Sequence, residues 1–186
     1  TMCGITGFFS PTGLDDTTDA VIALHLMQNS LAHRGPDDEG HWLDGGAGIA
    51  IGHRRLSILD TSPAGHQPMH SPSGRYVLAI NGEIYNHLQL RRRLEDSGFL
   101  AGAMWRGHSD TETLVVAIDA LGLEAALQLT VGMFALALWD RQERKLSLAR
   151  DRLGEKPLYY GWQRGKFYFG SELKALRAHP DFKASI

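Results

Sequence analysis

The chain's only cysteine, Cys3, sits in Met2-Cys3-Gly4-Ile5-Thr6-Gly7-Phe8-Phe9, just ahead of a short apolar run. A cysteine at a chain's own N-terminus carries nucleophile and base in one residue, because its α-amine lies within reach of its thiol. An unperturbed α-amine titrates at roughly 7.7–8 and a thiol at roughly 8.5, so a proton passes between them at almost no cost. That is the N-terminal form of the base-activated nucleophile. A lone cysteine is more often a small buried hydrophobe, and Cys3 in isolation fits that reading better.

Three further places offer chemistry. Arg54 and Arg55 precede the apolar stretch 56–59, whose packing can position one of them. An arginine fork grips a carboxylate in a bidentate way that lysine does not, and Arg54 reads as the surface arginine of the two. Asn81-Gly82-Glu83 stands at the end of an expected strand. There the Asn81 amide and the Gly82 N–H can serve a developing oxyanion, although a hairpin turn is the simpler reading. Asp110 opens a helix, where the dipole stabilises any carboxylate, so alone it reads as a cap.

Much else is excluded. Neither G-x-x-x-x-G-K-[ST] nor G-x-G-x-x-G occurs, which removes the usual phosphate loops. Nine histidines are scattered along the chain and no metal site is expected, and there is no G-x-S-x-G elbow. A net charge of −2 gives no basic footprint for nucleic acid. One cysteine cannot form an internal disulfide, and no signal peptide or membrane span is visible, so a reducing cytoplasm is the expected location. A length of 186 residues suits one full core, hence a single domain over 1–186. Thr1 before Met2 reads as an extension ahead of the natural initiator.

Periodicity outlines the elements that must hold these residues. Residues 5–9 form a strand bounded by Pro11 and Gly13. Ala20, Leu24, Met27 and Leu31 predict a helix over 16–33, capped by Asp16 or Thr17 and broken by Pro36. Strands follow at 41–43 and 47–53 around Gly45-Gly46, then an apolar piece at 56–60 and an ordered loop over 61–74. Residues 75–80 form a strand ending in the turn pair Asn81-Gly82, with 83–85 beyond it. A helix at 87–97 is capped by Gly98. Ser109-Asp110-Thr111-Glu112 has capping-box spacing and opens a helix to Leu121, stopped by Gly122. A short helix at 124–129, hairpins 133–139 with 146–149 and 157–162 with 166–170, and a helix at 172–178 complete the chain. Without regular βαβ alternation the class is α+β. Two sheets between helices would account for so many apolar strands.

Each chemical signal is weak alone, yet their order is specific. The chain closely resembles the glutaminase domain of glutamine-dependent asparagine synthetases, within the class II, N-terminal-nucleophile amidotransferases. The blocks that carry the resemblance are Met2-Cys3-Gly4-Ile5, His33-Arg34-Gly35-Pro36-Asp37, Arg55-Leu56-Ser57-Ile58-Leu59-Asp60 and Asn81-Gly82-Glu83-Ile84-Tyr85-Asn86. Ser109-Asp110-Thr111-Glu112, Gly132-Met133-Phe134-Ala135, the run from Arg150 to Tyr160 and Ser171-Glu172-Leu173-Lys174-Ala175-Leu176 continue the series across the chain.

The resemblance implies an N-terminal nucleophile hydrolase fold, two mainly antiparallel sheets between helix layers (αββα). It implies that Cys3 attacks the side-chain amide of glutamine, with Asn81 and the Gly82 N–H holding the oxyanion. Arg55 takes the substrate carboxylate, with Leu56, Ser57, Ile58 and Leu59 completing that wall, and Asp110 and Glu83 take the ammonium. The domain itself needs no cofactor. ATP and magnesium belong to a C-terminal synthetase domain of the same polypeptide, which this chain does not contain. L-Glutamine, that domain and a second copy in a homodimer are the partners implied; nucleic acid and membrane are not. The run from Arg106 to Thr113 is similar to relatives in bacterial polysaccharide gene clusters, which leaves the nitrogen acceptor open between aspartate and a carboxylated sugar precursor. A non-catalytic interaction module that keeps the fold is the reading of another class.

Overall fold

The computed structural model describes residues 3–56, 63–99 and 105–183. Its elements are β1 (Gly4–Phe9), α1 (Thr17–Asn29), β2 (Asp38–Asp44), β3 (Ile49–Arg55), β4 (Met69–His70) and β5 (Tyr76–Ile84). They continue with α2 (His87–Asp96), α3 (Asp110–Leu121), α4 (Leu123–Leu129), β6 (Gly132–Asp140), β7 (Lys145–Arg150), β8 (Tyr159–Gln163), β9 (Lys166–Gly170) and α5 (Leu173–Arg177). Five strands make one sheet in the order β2-β3-β1-β9-β8, and four make a second in the order β4-β5-β6-β7. Each described pairing is antiparallel.

Side-chain alternation decides what lies between and outside the sheets. Ile5, Ile49, Ile51, Val77, Ala79, Ala137, Trp139 and Phe169 meet in the central layer. The opposite face of the larger sheet, with Phe8, Ala50 and Tyr168, packs on Leu24 and Met27 of α1 and Leu176 of α5. The opposite face of the smaller sheet, with Leu78, Ile80 and Leu136, packs on Leu90 of α2, Leu114 and Ile118 of α3, and Ala126 of α4. The layering is αββα. Fully buried side chains such as Phe8 and Phe169 contribute about 1.5–3 kcal/mol each relative to exposure.

The helix starts follow their local chemistry. Asp16 accepts the N–H groups of Thr18 at 2.6 Å and Asp19 at 3.4 Å. Ser109 Oγ accepts the N–H of Glu112 at 3.1 Å, but the reciprocal arm of the capping box is redirected. The Glu112 carboxylate takes the N–H groups of Arg106 at 2.7 Å and Gly107 at 3.0 Å, tying down the approach to α3.

Two expectations need correction. The first helix ends at Asn29, and residues 30–34 form turns. More consequentially, Asn81-Gly82 is not a turn: β5 runs straight through both residues to Ile84. Asn81 faces Ala135 and Gly82 faces Phe134 on β6, so a long partner strand overrides the local turn preference. Most of the apolar piece at 56–60 lies outside the described residues, and the described part of 61–74 contains β4. None of the described helices is long and apolar enough to cross a membrane.

Candidate active site

The register of β1 against β3 ends with Gly4 opposite Arg54, which brings Cys3, the residue before β1, beside the end of β3 and Leu56. Cys3 precedes β1 two residues before inward-facing Ile5. Its thiol is half-buried and lies 3.6 Å from the carbonyl of Leu56, while the N–H of Leu56 points back to the sulfur at 3.4 Å. Burial pushes the thiol pKa up; the Leu56 N–H and the Arg55 charge pull it down, and Asp110 pushes it up again. A cation and a carboxylate therefore both stand within electrostatic reach of the sulfur.

Alternation along β3 separates its two arginines. Ile49, Ile51, His53 and Arg55 share the inner face, whereas Arg54 turns toward α1. There Arg54 donates to the Gln28 carbonyl at 3.3 Å and the Asn29 side chain at 2.6 Å, and pairs with Glu39 at 2.6 Å. It is a clamped, largely covered residue rather than the surface arginine expected. Arg55 is buried at 7% exposure, its guanidinium lying where a Cβ on Gly65 would be, so a side chain at Gly65 would displace it.

Asn81 follows Val77 and Ala79 on the inner face of β5. It is fully buried, and neither its amide oxygen nor its nitrogen has a hydrogen-bond partner among the described residues. A buried polar group without a partner is costly and points to use. Gly82 is required by space: a Cβ there would stand 2.1 Å from the Met133 carbonyl.

The edge of β5 away from β6 carries the N–H groups of Ile80, Gly82 and Ile84. Phe134, opposite Gly82, turns its own backbone to Asp151 instead, donating at 3.2 Å and accepting at 2.8 Å. The Ile80 N–H goes to Gln67 Oε1 at 2.8 Å and the Ile84 N–H to Asp110 Oδ2 at 2.7 Å. The Gly82 N–H stands between these two occupied donors.

Asp110 heads α3 and also accepts the N–H of Thr111 at 2.8 Å. Burial raises its pKa against these bonds. Glu83 is half-buried on the face of β5 that carries Asn81. Of the expected glutamine wall, Leu56 is in place, while Ser57, Ile58 and Leu59 lie outside the described residues. No group of three or more metal-binding side chains occurs among the described residues.

Sequence reasoning gave no role to Arg34 or Glu172. Arg34 Nε donates to the carbonyl of Cys3 at 2.9 Å, and its Nη1 reaches Glu172 Oε1 at 3.0 Å. Burial alone would raise the Glu172 carboxyl, but Arg34, Lys174 and His33 hold it down at about 2. This ionic knot fixes the backbone of Cys3. Both residues lie in recognised sequence blocks, but 138 positions apart.

Arg55 and Asp110 both act on the Cys3 sulfur, Asp110 is bonded to β5 at Ile84, and His53 joins the strand of Arg55 to β5 beside Asn81 and Gly82. That combination suits acyl transfer on a substrate bearing both an α-carboxylate and an α-ammonium.

A family model described as a glutamine amidotransferase domain matches residues 2–186. Asparagine synthetase (glutamine-hydrolyzing) 1 of Bacillus subtilis is 39% identical over 175 residues, covering 94% of this chain and 26% of that protein. The amidase chry2 of Gibberella zeae is 35% identical, covering 95% of this chain and 26% of that protein. The chain thus spans about a quarter of the length of these curated relatives. Among solved structures, glutamine phosphoribosylpyrophosphate amidotransferase from B. subtilis superposes with a TM-score of 0.75 at 23% identity, over 95% of this chain and 43% of that one. That likeness carries the fold.

Proposed function

The chain belongs to the glutamine amidotransferase domain family, and we propose that it hydrolyses L-glutamine to L-glutamate and ammonia through a thioester on Cys3. Cys3 Sγ attacks the side-chain amide carbon, and the α-amine of Cys3 takes the thiol proton and passes it to departing ammonia. Water then attacks the thioester, releasing glutamate and returning the proton to sulfur. Asn81 and the Gly82 N–H hold the oxyanion of both tetrahedral intermediates, one such donor being worth roughly 2.7–4 kcal/mol. Arg55 and the backbone from Leu56 through Leu59 receive the α-carboxylate; Asp110 and Glu83 receive the α-ammonium. Ser57 and Ile58 complete the wall in this reading.

One observation carries it above all. Asn81 is fully buried, with neither amide atom partnered among the described residues. An interaction module would have no reason to keep that cost. The chain's share of its relatives supports a longer polypeptide, in which 1–186 is one domain and an ATP- and magnesium-dependent synthetase domain uses the ammonia to make asparagine from aspartate. The relative named an amidase favours a second acceptor, such as another carboxylate.

The test is glutamate release from glutamine by the chain trimmed to begin at Cys3, with Cys3→Ala as the blank. Cysteine-dependent turnover is expected. A folded, trimmed chain that releases no glutamate and takes no label from a glutamine-analogue electrophile would overturn the enzyme reading. The acceptor is decided by supplying the longer protein with ATP, glutamine and either aspartate or a carboxylated sugar.

A further inference from the structure

We propose that His53 and Gln67 are positioning residues for the oxyanion hole, holding both backbone groups of Ile80 and thereby setting where Asn81 and Gly82 stand. The inference rests on the glutaminase reading above.

The need for such a device follows from the shape of the smaller sheet. β4 is two residues long, with Met69 opposite Leu78. Continuing that register would set Gln67 opposite Ile80, where its backbone would complete the ladder. The chain has already turned away there, and the Gln67 carbonyl packs against Gly40 of β2, where no Cβ would fit. The edge of β5 is thus left without a partner strand just before Asn81, and a buried edge must be satisfied some other way.

Two side chains replace the missing strand. Gln67 Oε1 accepts the Ile80 N–H at 2.8 Å, and His53 Nε2 donates to the Ile80 carbonyl at 3.0 Å. Both residues are buried, at 5% and 1% exposure. A carbonyl only accepts, so the proton of His53 sits on Nε2. Burial pushes the His53 pKa down to about 4, which keeps the ring a neutral donor at pH 7.

The same two side chains touch the rest of the site at one remove. His53 lies two residues before Arg55 on the same face of β3. Gln67 Nε2 reaches Thr111 Oγ1 at 3.4 Å, next to Asp110. The proposed contacts for the oxyanion, the carboxylate and the ammonium are therefore referenced to one another through this pair. Neither residue touches substrate in this arrangement; each acts through backbone.

The experiment uses the chain trimmed to begin at Cys3. His53→Phe and Gln67→Met remove the bonds at similar shape, with His53→Leu and Gln67→Leu in reserve should either fail to fold. His53→Gln puts an amide N–H near the former position of Nε2. Three quantities are measured: kcat, KM for glutamine, and the rate at which iodoacetamide alkylates Cys3. Alkylation is a displacement that builds no oxyanion, so it reports the thiol alone.

Because a small misplacement of catalytic groups costs up to about 100-fold, His53→Phe and Gln67→Met are expected to lose about 10- to 100-fold in kcat. KM and the alkylation rate should stay within about threefold, and His53→Gln should recover most of kcat. Unchanged kcat, alkylation falling in step with kcat, or His53→Gln behaving like His53→Phe would each overturn the proposal. A wild-type chain without Cys3-dependent turnover would remove the glutaminase reading first, and the proposal with it, before any variant is made.

Discussion

Cys3 and Leu56 bond in both directions, with the sulfur 3.6 Å from the Leu56 carbonyl and 3.4 Å from the Leu56 N–H. The proposed nucleophile is thereby fastened to the residue that follows Arg55. Arg55 lowers the thiol pKa that burial raises. Arg55→Met should therefore act twice. Iodoacetamide labelling at pH 7 should slow, because less thiolate is present. KM for glutamine should rise by about 10- to 100-fold, the loss of a charge-assisted carboxylate clamp. Labelling as fast as in the wild type would show that Arg55 does not act on the sulfur.

In the proposed mechanism the α-amine of Cys3 is the second determinant of thiol reactivity. With Thr1 and Met2 attached, the nitrogen of Cys3 is an amide and cannot accept a proton. The intact chain should fold with an unchanged Tm yet release glutamate at less than about 1% of the trimmed rate, the usual loss of a general base. Rates are compared between preparations whose masses establish the first residue. Equal rates would mean that another group takes the proton.

Asn81 and Gly82 should fail in opposite ways. Asn81→Leu removes a buried, unpaired amide and should raise stability by about 1–3 kcal/mol while lowering kcat by about 100- to 1,000-fold. Gly82→Ala places a Cβ 2.1 Å from the Met133 carbonyl, so it should lose both stability and activity. Calorimetry distinguishes them: Tm rises in the first variant and falls in the second. A drop in Tm for Asn81→Leu would mean that the amide is stabilising in the free protein.

Acid should weaken the fold through His53. Burial lowers its pKa to about 4; Arg55 and His66 push the same way, while the Ile80 bond and Asp38 oppose them. An unfolded imidazole titrates near roughly 6.5, so between these values the unfolded chain binds the extra proton. This contribution is complete above about pH 6.5 and is lost as pH falls toward 4, on the order of 3 kcal/mol in all. His179, also lowered to about 4 by burial, adds a loss of the same sign. His53→Gln should flatten the His53 share, seen as a smaller drop in the urea midpoint between pH 7 and pH 4.5. An undiminished drop would assign the acid sensitivity to other groups.

The capping residues Asp16 and Ser109, the strand and helix periods and the stops at Gly98 and Gly122 were legible in the sequence because each depends on neighbours within a few positions. The ordered blocks around Cys3, Arg55, Asn81-Gly82 and Asp110 likewise identified the family without coordinates. Local preference failed where a distant strand decided the outcome. Asn81-Gly82 has the composition of a turn, but nine residues of β6 pair across β5 and hold it straight. Arg54 and Arg55 are alike in sequence, and only the pleat of β3 sends one to α1 and the other toward Cys3.

The sequence by itself determined most of the elements, singled out Cys3 as the proposed nucleophile and determined the family. Tertiary structure alone decided the support beneath the site: Arg34 with Glu172 behind Cys3, and His53 with Gln67 behind Asn81. These contacts join residues 13 to 138 positions apart. They exist because two sheets pack face to face and leave particular backbone groups without a strand partner. No local period or propensity encodes which groups those will be.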